Sequence, residues 1–398
     1  MKHSLRLRLE NVFQRITTSG TIIPEIDGLR FICLLGVLVV HIYSNYLRIL
    51  PSGRLAGMFS EDGILHSILS TAGRGVELFF MISGFILALP FLSQYQHQGR
   101  AVSLKKYFRR RLLRLEPPYI VIMTLFFFLK YIPVHPAFAP DPETPNLIGS
   151  LLASLLYIHY MVYGHNSYIN GVAWSLEVEV QFYIMAPWLA RLIFPCSRSA
   201  RLAIYTIVFI AAPTLQYLLE VYIGYSVESS RKCIIGNIQF FLMGFAIADL
   251  YLEKVFLKLP APANFLTGTL LLVTIFAVPI RESLFLPRII FLGAAAVFYL
   301  LVLSPGCWQQ ILRSTPFVLI GGMCYTVYLI HFPLMLLFSK FAAKLFVTDL
   351  FLVNLAVHFC LVTTCILLVS SIFYLLVEKP CMRPDWPSEL LTFLRGRR

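Results

Sequence analysis

Long apolar stretches recur along almost the whole chain, separated by short polar segments. Stretches of about 17 residues or more suit a hydrocarbon core of about 30 Å, which about 20 helical residues cross. Strands of outer-membrane barrels alternate apolar and polar residues, and a segment such as Val121-Ile-Met-Thr-Leu-Phe-Phe-Phe-Leu129 does not. The pattern therefore predicts an all-α, polytopic integral membrane protein.

We predict about ten membrane-spanning helices, near residues 29–47, 75–93, 117–134, 172–194, 202–222, 233–252, 264–280, 287–303, 316–338 and 351–377. Residues 147–163 are apolar as well, but serine, histidine and tyrosine interrupt them. They form either an eleventh span or a helix in the membrane interface. An eleventh span would place Arg191, Arg198 and Arg201 outside, against the cytoplasmic preference of basic residues, so we expect ten.

Composition supports a membrane protein and argues against a nucleic-acid partner. Hydrophobic residues make up 58% of the chain and charged residues 13%, against about half and about a quarter in soluble domains. The formal charge of +13 is what Lys and Arg collected on the cytoplasmic side produce. The eight cysteines contain no C-x-x-C pair, and we predict neither a metal site nor a disulfide framework.

The order of segments predicts one membrane domain, residues 26–383, in the cell membrane, most simply a bacterial inner membrane. Residues 1–25 are basic and lack a clean apolar core, so they are interpreted as a cytoplasmic lead-in. Residues 384–398 are interpreted as a short cytoplasmic tail, which places both termini inside. The Pro-rich residues 135–145 are typical of a loop and are expected on the outer side.

The first predicted span carries two ionisable residues, Arg30 and His41. A charged group inside a bilayer is costly, so each one needs a reason. Their spacing corresponds to about 16 Å along a helix, which places His41 near the middle of the membrane and Arg30 at the inner mouth. An imidazole there either takes a proton from a hydroxyl as a general base or bonds a neighbouring helix for packing.

A dense run of basic residues extends from Arg100 to Arg114. Anchoring at the cytoplasmic surface, or attraction to anionic lipid, explains much of this charge. Arg111 and Arg114 have a finer feature, because their i, i+3 spacing places both on one helix face. Two guanidinium groups placed in this way suit the pyrophosphate or ribose phosphate of a nucleotide carrier.

Three glutamates lie at the heads of predicted spans. Glu177 and Glu179 are two residues apart and point to different faces of their helix, so both cannot face lipid cheaply. Glu77 occupies a similar position in an earlier span. Each glutamate either faces a cavity or a cation, or belongs to a structural ion pair.

Six short blocks, in order, resemble acyltransferase family 3, the transmembrane O-acyltransferases that modify bacterial surface polysaccharides. The blocks are Ile26-Asp-Gly-Leu-Arg30 with His41, Gly75-Val-Glu-Leu-Phe-Phe-Met-Ile-Ser-Gly-Phe85, Arg111-x-x-Arg114 with Pro117 and Tyr119, Trp174-Ser-Leu through Glu179 to Tyr183, Tyr325-Thr-Val-Tyr-Leu-Ile-His331 with Pro333, and Val377-Glu-Lys-Pro380. The resemblance covers roughly residues 25–383.

The resemblance implies that His41 is the essential catalytic histidine. It also implies that Arg30, Arg111 and Arg114 belong to the site of the acyl donor, which would be acyl-CoA and most simply acetyl-CoA. No permanently bound cofactor is expected. The acceptor would be a hydroxyl of a cell-surface or lipid-linked glycan, with membrane lipid around the protein.

The resemblance ranks the carboxylates as well. Glu179 matches the recurrent glutamate of its block, whereas Glu177 occupies a variable position. Glu77 stands where the family commonly has Asp, so a role carries over to it only weakly. His331 matches a recurrent position, and a structural role there stays as open as a chemical one.

Together these observations predict a membrane O-acyltransferase. The acyl group moves directly, with His41 as general base and Glu179 or Glu77 orienting its ring, or through an acyl-histidine. Many family members carry an extracytoplasmic hydrolase-like domain, and none is recognisable here. We therefore expect the membrane domain itself, or a separate protein, to deliver the acyl group to its acceptor.

Two other classes of protein stay open. A transporter or flippase also lines its pathway with intramembrane charges, although no inverted repeat or paired broken helix is visible in the sequence. A sensor or scaffold that kept the fold and lost its chemistry would be marked by loss of His41 or Arg30, and both are present.

Overall fold

The computed structural model describes residues 12–16, 22–50, 63–97, 99–132, 146–224, 226–277, 285–342, 344–345, 347–383 and 385–394. These residues form helices and contain no β-strand, which confirms the predicted all-α class. The predicted external loop 135–145 lies outside the described residues. So do much of the segment 1–25 and part of the segment 384–398.

The helices follow one another with short connections. In chain order they are α1 (Pro24–Ile49), α2 (Ile64–Thr71), α3 (Gly75–Gln96), α4 (Leu104–Tyr131), α5 (Leu147–Leu155), α6 (His159–Tyr163), α7 (Trp174–Ile193), α8 (Arg198–Tyr222), α9 (Val227–Arg231), α10 (Ile234–Leu252), α11 (Ala261–Ala277), α12 (Phe285–Leu303), α13 (Cys307–Leu312), α14 (Thr315–Gly322), α15 (Cys324–Ala342), α16 (Phe351–Phe373), α17 (Lys379–Cys381) and α18 (Trp386–Leu394). Single 3₁₀ turns precede α3 and α7, and a π-helical turn, Tyr374–Glu378, follows α16.

Within the described residues, eight helices are long and apolar enough to cross a membrane: α1, α3, α4, α8, α10, α12, α15 and α16. The other two predicted spans also form helices. One of them, α11, has 17 residues, and the other, α7, carries Glu177, Glu179 and Arg191. The chain is therefore a multi-pass membrane protein, as its apolar pattern predicts.

The segment 147–163 does not form an eleventh span. Its two helices, α5 and α6, have nine and five residues, whereas about 20 residues are needed to cross the hydrocarbon core. Asn146 caps the first of them through its side chain, which accepts from the backbone N–H of Gly149 at 2.7 Å. The alternative of a short helical segment near the interface is the one that the helix lengths support.

The prediction of one continuous helix over residues 316–338 was wrong. This segment is divided into α14 and α15, with the break at Met323. Irregular backbone at membrane depth is tolerated where it lines a cavity or is buried in protein. Gly322 and Cys324, on either side of the break, both line a cavity.

The helices near the centre are buried and those at the periphery face outward. The most apolar part of α3 is 72% buried and that of α8 only 17%. α1 packs against α3, α14, α15 and α16, while α3 makes its most extensive contact with α10. A Cβ at Gly84 would lie 2.0 Å from the carbonyl oxygen of Phe241, so only glycine permits this close crossing, as in other membrane helix pairs.

Candidate functional site

A cavity of about 870 Å³, part of it open to solvent, lies among α1, α3, α4, α7 and α15. We call it the arginine cavity, because Arg30, Arg111 and Arg114 all line it. Glu179 lines it too. Four of the five residues predicted from the sequence therefore meet at one place, although they belong to three separate helices.

The arginine cavity extends along α3. Along α3 its lining extends from Ile86 back to Val76, ten residues that correspond to about 15 Å of helix. Apolar side chains, among them Phe79 and Phe80, form much of its wall. The arginines contribute positive charge from α1 and α4. The cavity therefore combines a cationic region with a largely apolar part along α3, between Ile86 and Val76, which we call the shaft.

Arg111 and Arg114 lie on one face of α4, as their i, i+3 spacing predicts. Both side chains are partly buried and line the cavity. Lys105, Lys106, Arg109 and Arg110 are exposed instead. The guanidinium carbon of Arg111 lies 5.3 Å from the ring centroid of Tyr183, a cation–π contact. No described carboxylate forms an ion pair with Arg111 or Arg114, so both are available to an anion.

Arg30 has a partner that sequence reasoning did not single out. Its Nη1 donates to Asp27 Oδ1 at 2.5 Å, and Arg15 Nε donates to Asp27 Oδ2 at 2.8 Å. Burial, and next the positive charge of Arg30, lower the pKa of the Arg15 guanidinium to about 10, so Arg15 remains charged at neutral pH. The buried Asp27 thus positions Arg30, and the signal for it was its place in the Ile26-Asp-Gly-Leu-Arg30 block.

The two neighbouring glutamates of α7 have different surroundings, as their spacing predicts. Glu179 accepts hydrogen bonds from the hydroxyls of Ser83 and Tyr183 through the same oxygen, Oε1. Glu177 Oε2 accepts from the backbone N–H of Tyr160 at 2.9 Å, in the first turn of α6. Glu179 therefore belongs to the cavity wall, and Glu177 holds the short helix α6 against α7.

A buried carboxylate supports the break between α14 and α15. Glu378 Oε2 accepts from the backbone N–H of Thr326 at 3.1 Å and from its hydroxyl at 2.5 Å. The first N–H groups of a helix lack partners within it. A carboxylate there accepts from them, and its negative charge interacts favourably with the positive end of the helix dipole. Glu378, from the Val377-Glu-Lys-Pro380 block, thus fixes the cavity-lining start of α15.

His41 does not line the arginine cavity; it lies beside a second histidine. The ring centroids of His41 and His331 are 5.2 Å apart, and the Phe332 ring lies 5.3 Å from His41. No hydrogen bond to the His41 ring is present among the described residues. Neither Glu179 nor Glu77 contacts His41, so the predicted carboxylate–imidazole pairing is absent from this structure.

Tyr328 connects the cavity to the histidines. It lines the cavity, and its ring centroid lies 5.6 Å from that of His331 and 6.1 Å from that of Phe79. Its hydroxyl lies 2.6 Å from that of Ser175. Tyr328 contacts His331, and His331 contacts His41, so a chain of ring contacts links the cavity to His41. Contacts between different helices cannot be predicted from residue spacing within one helix.

Glu77 faces a different neighbour. Its Oε1 accepts from Arg231 Nη2 at 3.0 Å, across from the arginine cavity. Its surroundings form a second cavity, described below. The described residues contain no group of three or more His, Cys, Asp or Glu arranged to hold a metal ion.

The fold and the site define a polytopic membrane protein in which a cationic cavity leads toward the partly buried His41 and the buried His331. The chain belongs to acyltransferase family 3: the family described as the acyltransferase domain matches residues 23–375. This match confirms the resemblance seen in the six sequence blocks.

Two relatives illustrate the family. The peptidoglycan O-acetyltransferase OatA of Listeria monocytogenes is 22% identical over 338 residues, which cover 79% of this chain and 50% of that protein. The O-acetyltransferase OatA of Staphylococcus aureus is 22% identical over 363 residues, covering 84% of this chain and 53% of that protein. The chain therefore spans about half the length of these relatives. No solved structure matches it significantly.

Proposed function

We propose that this protein transfers an acyl group, most simply acetyl, from acyl-CoA to a hydroxyl of a glycan at the membrane. The observation that carries the proposal is the arginine cavity, in which Arg111 and Arg114 face an apolar shaft and have no carboxylate partner in the part of the chain that the structure describes. The relatives are O-acetyltransferases, which supports the acetyl group, and the Listeria protein is a peptidoglycan O-acetyltransferase, which supports a glycan acceptor.

The donor would bind with its phosphates on the arginines. Guanidinium groups recognise phosphate oxygens through two parallel hydrogen bonds, which suits them to a pyrophosphate. Asp27 holds Arg30 in place for the same task. The pantetheine arm is thin and largely apolar, and the shaft between Ile86 and Val76, about 15 Å by helix rise, accommodates it.

The thioester then lies near Tyr328, at the wall that separates the cavity from His331 and His41. Reaction requires that His41, the acceptor oxygen and the thioester carbon come together there. His41 takes the proton of the acceptor hydroxyl as its oxygen attacks the carbonyl carbon. The carbon–sulfur bond breaks, and the protonated imidazole returns the proton to the leaving thiolate, so His41 ends as it began.

The test uses the purified protein in lipid nanodiscs with acetyl-CoA labelled in the acetyl group. We expect label to appear on a cell-wall glycan acceptor with the wild type and to be lost in His41→Ala. Ala is well tolerated in helices, so His41→Ala should still reach the membrane and bind acetyl-CoA. His97→Ala, at an exposed histidine, is the matched control and should transfer normally.

Each alternative gives a different result. Normal transfer by His41→Ala would show that His41 is not the general base. A wild type that transfers nothing and binds no acetyl-CoA would overturn the proposed donor. Label that stays on the wild-type polypeptide, and leaves it when acceptor is added, would replace direct transfer by the acyl-histidine route.

A further inference from the structure

A second cavity, of about 420 Å³ with part of that space open to solvent, lies on the other side of α3. Helices α3, α8, α10 and α12 and the short α9 form it. Its polar lining residues are Glu77, Gln216, Arg231, Asn237, Gln239 and Arg288. Phe240 and Phe291, whose rings meet edge to face at 5.7 Å, contribute to its apolar wall together with a proline and a leucine.

The two cavities flank the same helical turn. Val76 lines the arginine cavity and Glu77 lines the second cavity. Adjacent residues of a helix project about 100° apart, so the first turn of α3 separates the two spaces. The second cavity is therefore next to the end of the arginine cavity that Val76 lines.

Three buried side chains of the second cavity each have a polar atom without a hydrogen-bond partner among the described residues. These atoms are Nη1 of Arg288, Oε1 of Gln239 and Oε2 of Glu77. Their side chains are at least nine-tenths buried. An unsatisfied buried polar group destabilises a fold, so three of them around one space point to a ligand that supplies both donors and acceptors.

Each charged residue that lines the second cavity has an oppositely charged partner. Arg231 pairs with Glu77, and Arg288 pairs with Glu220 of α8. Gln239 contributes an amide whose other end, Nε2, already donates to the Gly236 carbonyl at 2.7 Å. This differs from the arginine cavity, where Arg111 and Arg114 have no carboxylate partner among the described residues. A phosphorylated or carboxylated ligand is therefore disfavoured, and an uncharged one fits.

We propose that the second cavity binds the acceptor, an uncharged saccharide that presents several hydroxyl groups. Hydroxyls both donate and accept hydrogen bonds, so one ligand satisfies Gln239 Oε1 and Glu77 Oε2 as donor and Arg288 Nη1 as acceptor. The apolar wall receives the C–H face of the sugar ring, as binding sites commonly combine apolar walls with a few placed polar groups. The inference rests on the proposed function and specifies where its acceptor sits.

The test measures binding of a short N-acetylglucosamine oligosaccharide to the purified protein by saturation-transfer NMR. Leu292→Trp fills the second cavity, and Gln239→Met removes one acceptor while keeping the side-chain length. We expect about tenfold weaker oligosaccharide binding in each variant, the equivalent of about 1.4 kcal/mol. Gln181→Met is the matched control, because its amide bonds the sulfur of Met161 away from both cavities, and it should bind as the wild type does.

Acetyl-CoA binding is measured on the same samples and should not change in any of the three variants. Wild-type binding of the oligosaccharide in Leu292→Trp and Gln239→Met would overturn the assignment, since the cavity would then hold only water. A wild type that binds acetyl-CoA but no oligosaccharide would overturn it as well, while leaving the donor site intact. Failure of acetyl-CoA binding alone would instead count against the proposed function.

Discussion

His331 packs its imidazole beside that of His41, with 5.2 Å between the ring centroids. Nδ1 of His331 lies 2.6 Å from the carbonyl oxygen of Tyr328. A carbonyl only accepts, so this nitrogen carries the proton and Nε2 of a neutral His331 has a free lone pair. Nε2 is buried and has no partner among the described residues. The tautomer of His331 is thus set by the same α15 residue, Tyr328, that lines the arginine cavity.

We predict that His331 is a positioning residue for His41. In His331→Phe, which keeps a ring but loses both nitrogens, kcat should fall about tenfold or more, a smaller loss than the roughly 10²–10⁴-fold that a general acid or base itself contributes. The KM for acetyl-CoA should change little, because His331 does not line the arginine cavity. Steady-state kinetics across pH measures both, and the pH dependence of kcat should shift.

His331→Asn separates positioning from structure. The amide of Asn retains a donor for the Tyr328 carbonyl but has nothing in place of Nε2. If His331 only supports the helix, Asn should restore wild-type kcat and the wild-type pH profile. If it positions His41, the Asn variant should stay impaired although it folds and inserts normally. A fully active Asn variant would assign His331 to packing.

Arg111 and Arg114 should bind the donor, and the neighbouring arginines should not. Arg111→Lys and Arg114→Lys keep the charge but lose the planar guanidinium, which matters where two phosphate oxygens are bound together. We expect about tenfold weaker acetyl-CoA binding for each, measured by isothermal titration calorimetry in nanodiscs, a change equivalent to about 1.4 kcal/mol.

Arg109→Lys and Arg110→Lys are the matched controls, because both side chains lie on the same helix but are exposed. They should leave acetyl-CoA affinity within about twofold, the scale of a surface charge–charge contact. Equal losses in all four variants would mean that guanidinium groups throughout the basic run, and not this pair in particular, bind the donor. No loss in any of them would mean that positive charge alone suffices, and would leave Arg111 and Arg114 as membrane anchors without a specific role in donor binding.

The sequence predicted those parts of the site that follow from local patterns. Apolar length located the spans, and the i, i+3 rule placed Arg111 and Arg114 on one face. The two-residue spacing of Glu177 and Glu179 separated their roles. Each of these arguments needs only the geometry of a single helix, which is regular and therefore predictable.

Contacts between helices could not be predicted in the same way. A carboxylate was expected beside His41, but the contact is made by His331, whose helix lies close to 300 residues later in the chain. Which face of α1 meets α15 depends on packing, including the break at Met323. A clue to that break was present, since the glycine pair Gly321-Gly322 immediately precedes it.

The sequence also contains a signal for the second cavity. Gln239 and Arg288 are polar residues within apolar stretches, and such residues are costly in a membrane and are functional by default. A sequence pattern marks such residues one helix at a time. Which polar residues of α8, α10 and α12 converge on one cavity appears only in three dimensions.

The orientation predicted from the sequence gives a test that does not depend on the family. That orientation, with the N-terminus inside, makes the α3–α4 connection cytoplasmic and places the segment between α15 and α16 outside. A cysteine at the exposed His97 should resist a membrane-impermeant maleimide in whole cells, and one at the exposed Asp349 should react. The wild type, with its own eight cysteines, sets the background. Labelling in the opposite pattern would place Arg111 and Arg114 outside, away from cytoplasmic acyl-CoA.

The last prediction concerns Glu179 and Glu177, which the structure places in different surroundings. One oxygen of Glu179 accepts from both Ser83 and Tyr183 on the wall of the arginine cavity. Hydrogen bonds to a carboxylate are roughly twice as strong as neutral ones, so Glu179→Gln should loosen this wall and lower kcat by about tenfold or more, equivalent to about 1.4 kcal/mol. Glu177→Gln keeps an oxygen for the Tyr160 N–H and should lower kcat less than about threefold, well under 1 kcal/mol.

Transfer of labelled acetyl measures both variants, with membrane insertion checked by detergent extraction and gel filtration. Because Glu179 does not contact His41, the pH dependence of kcat in Glu179→Gln should remain that of the wild type, unlike that of His331→Phe. A shifted profile would mean that Glu179 approaches His41 during turnover. Greater impairment in Glu177→Gln would show that α6, which Glu177 holds through the Tyr160 N–H, takes part in the reaction and that the cavity wall at Glu179 tolerates a neutral amide.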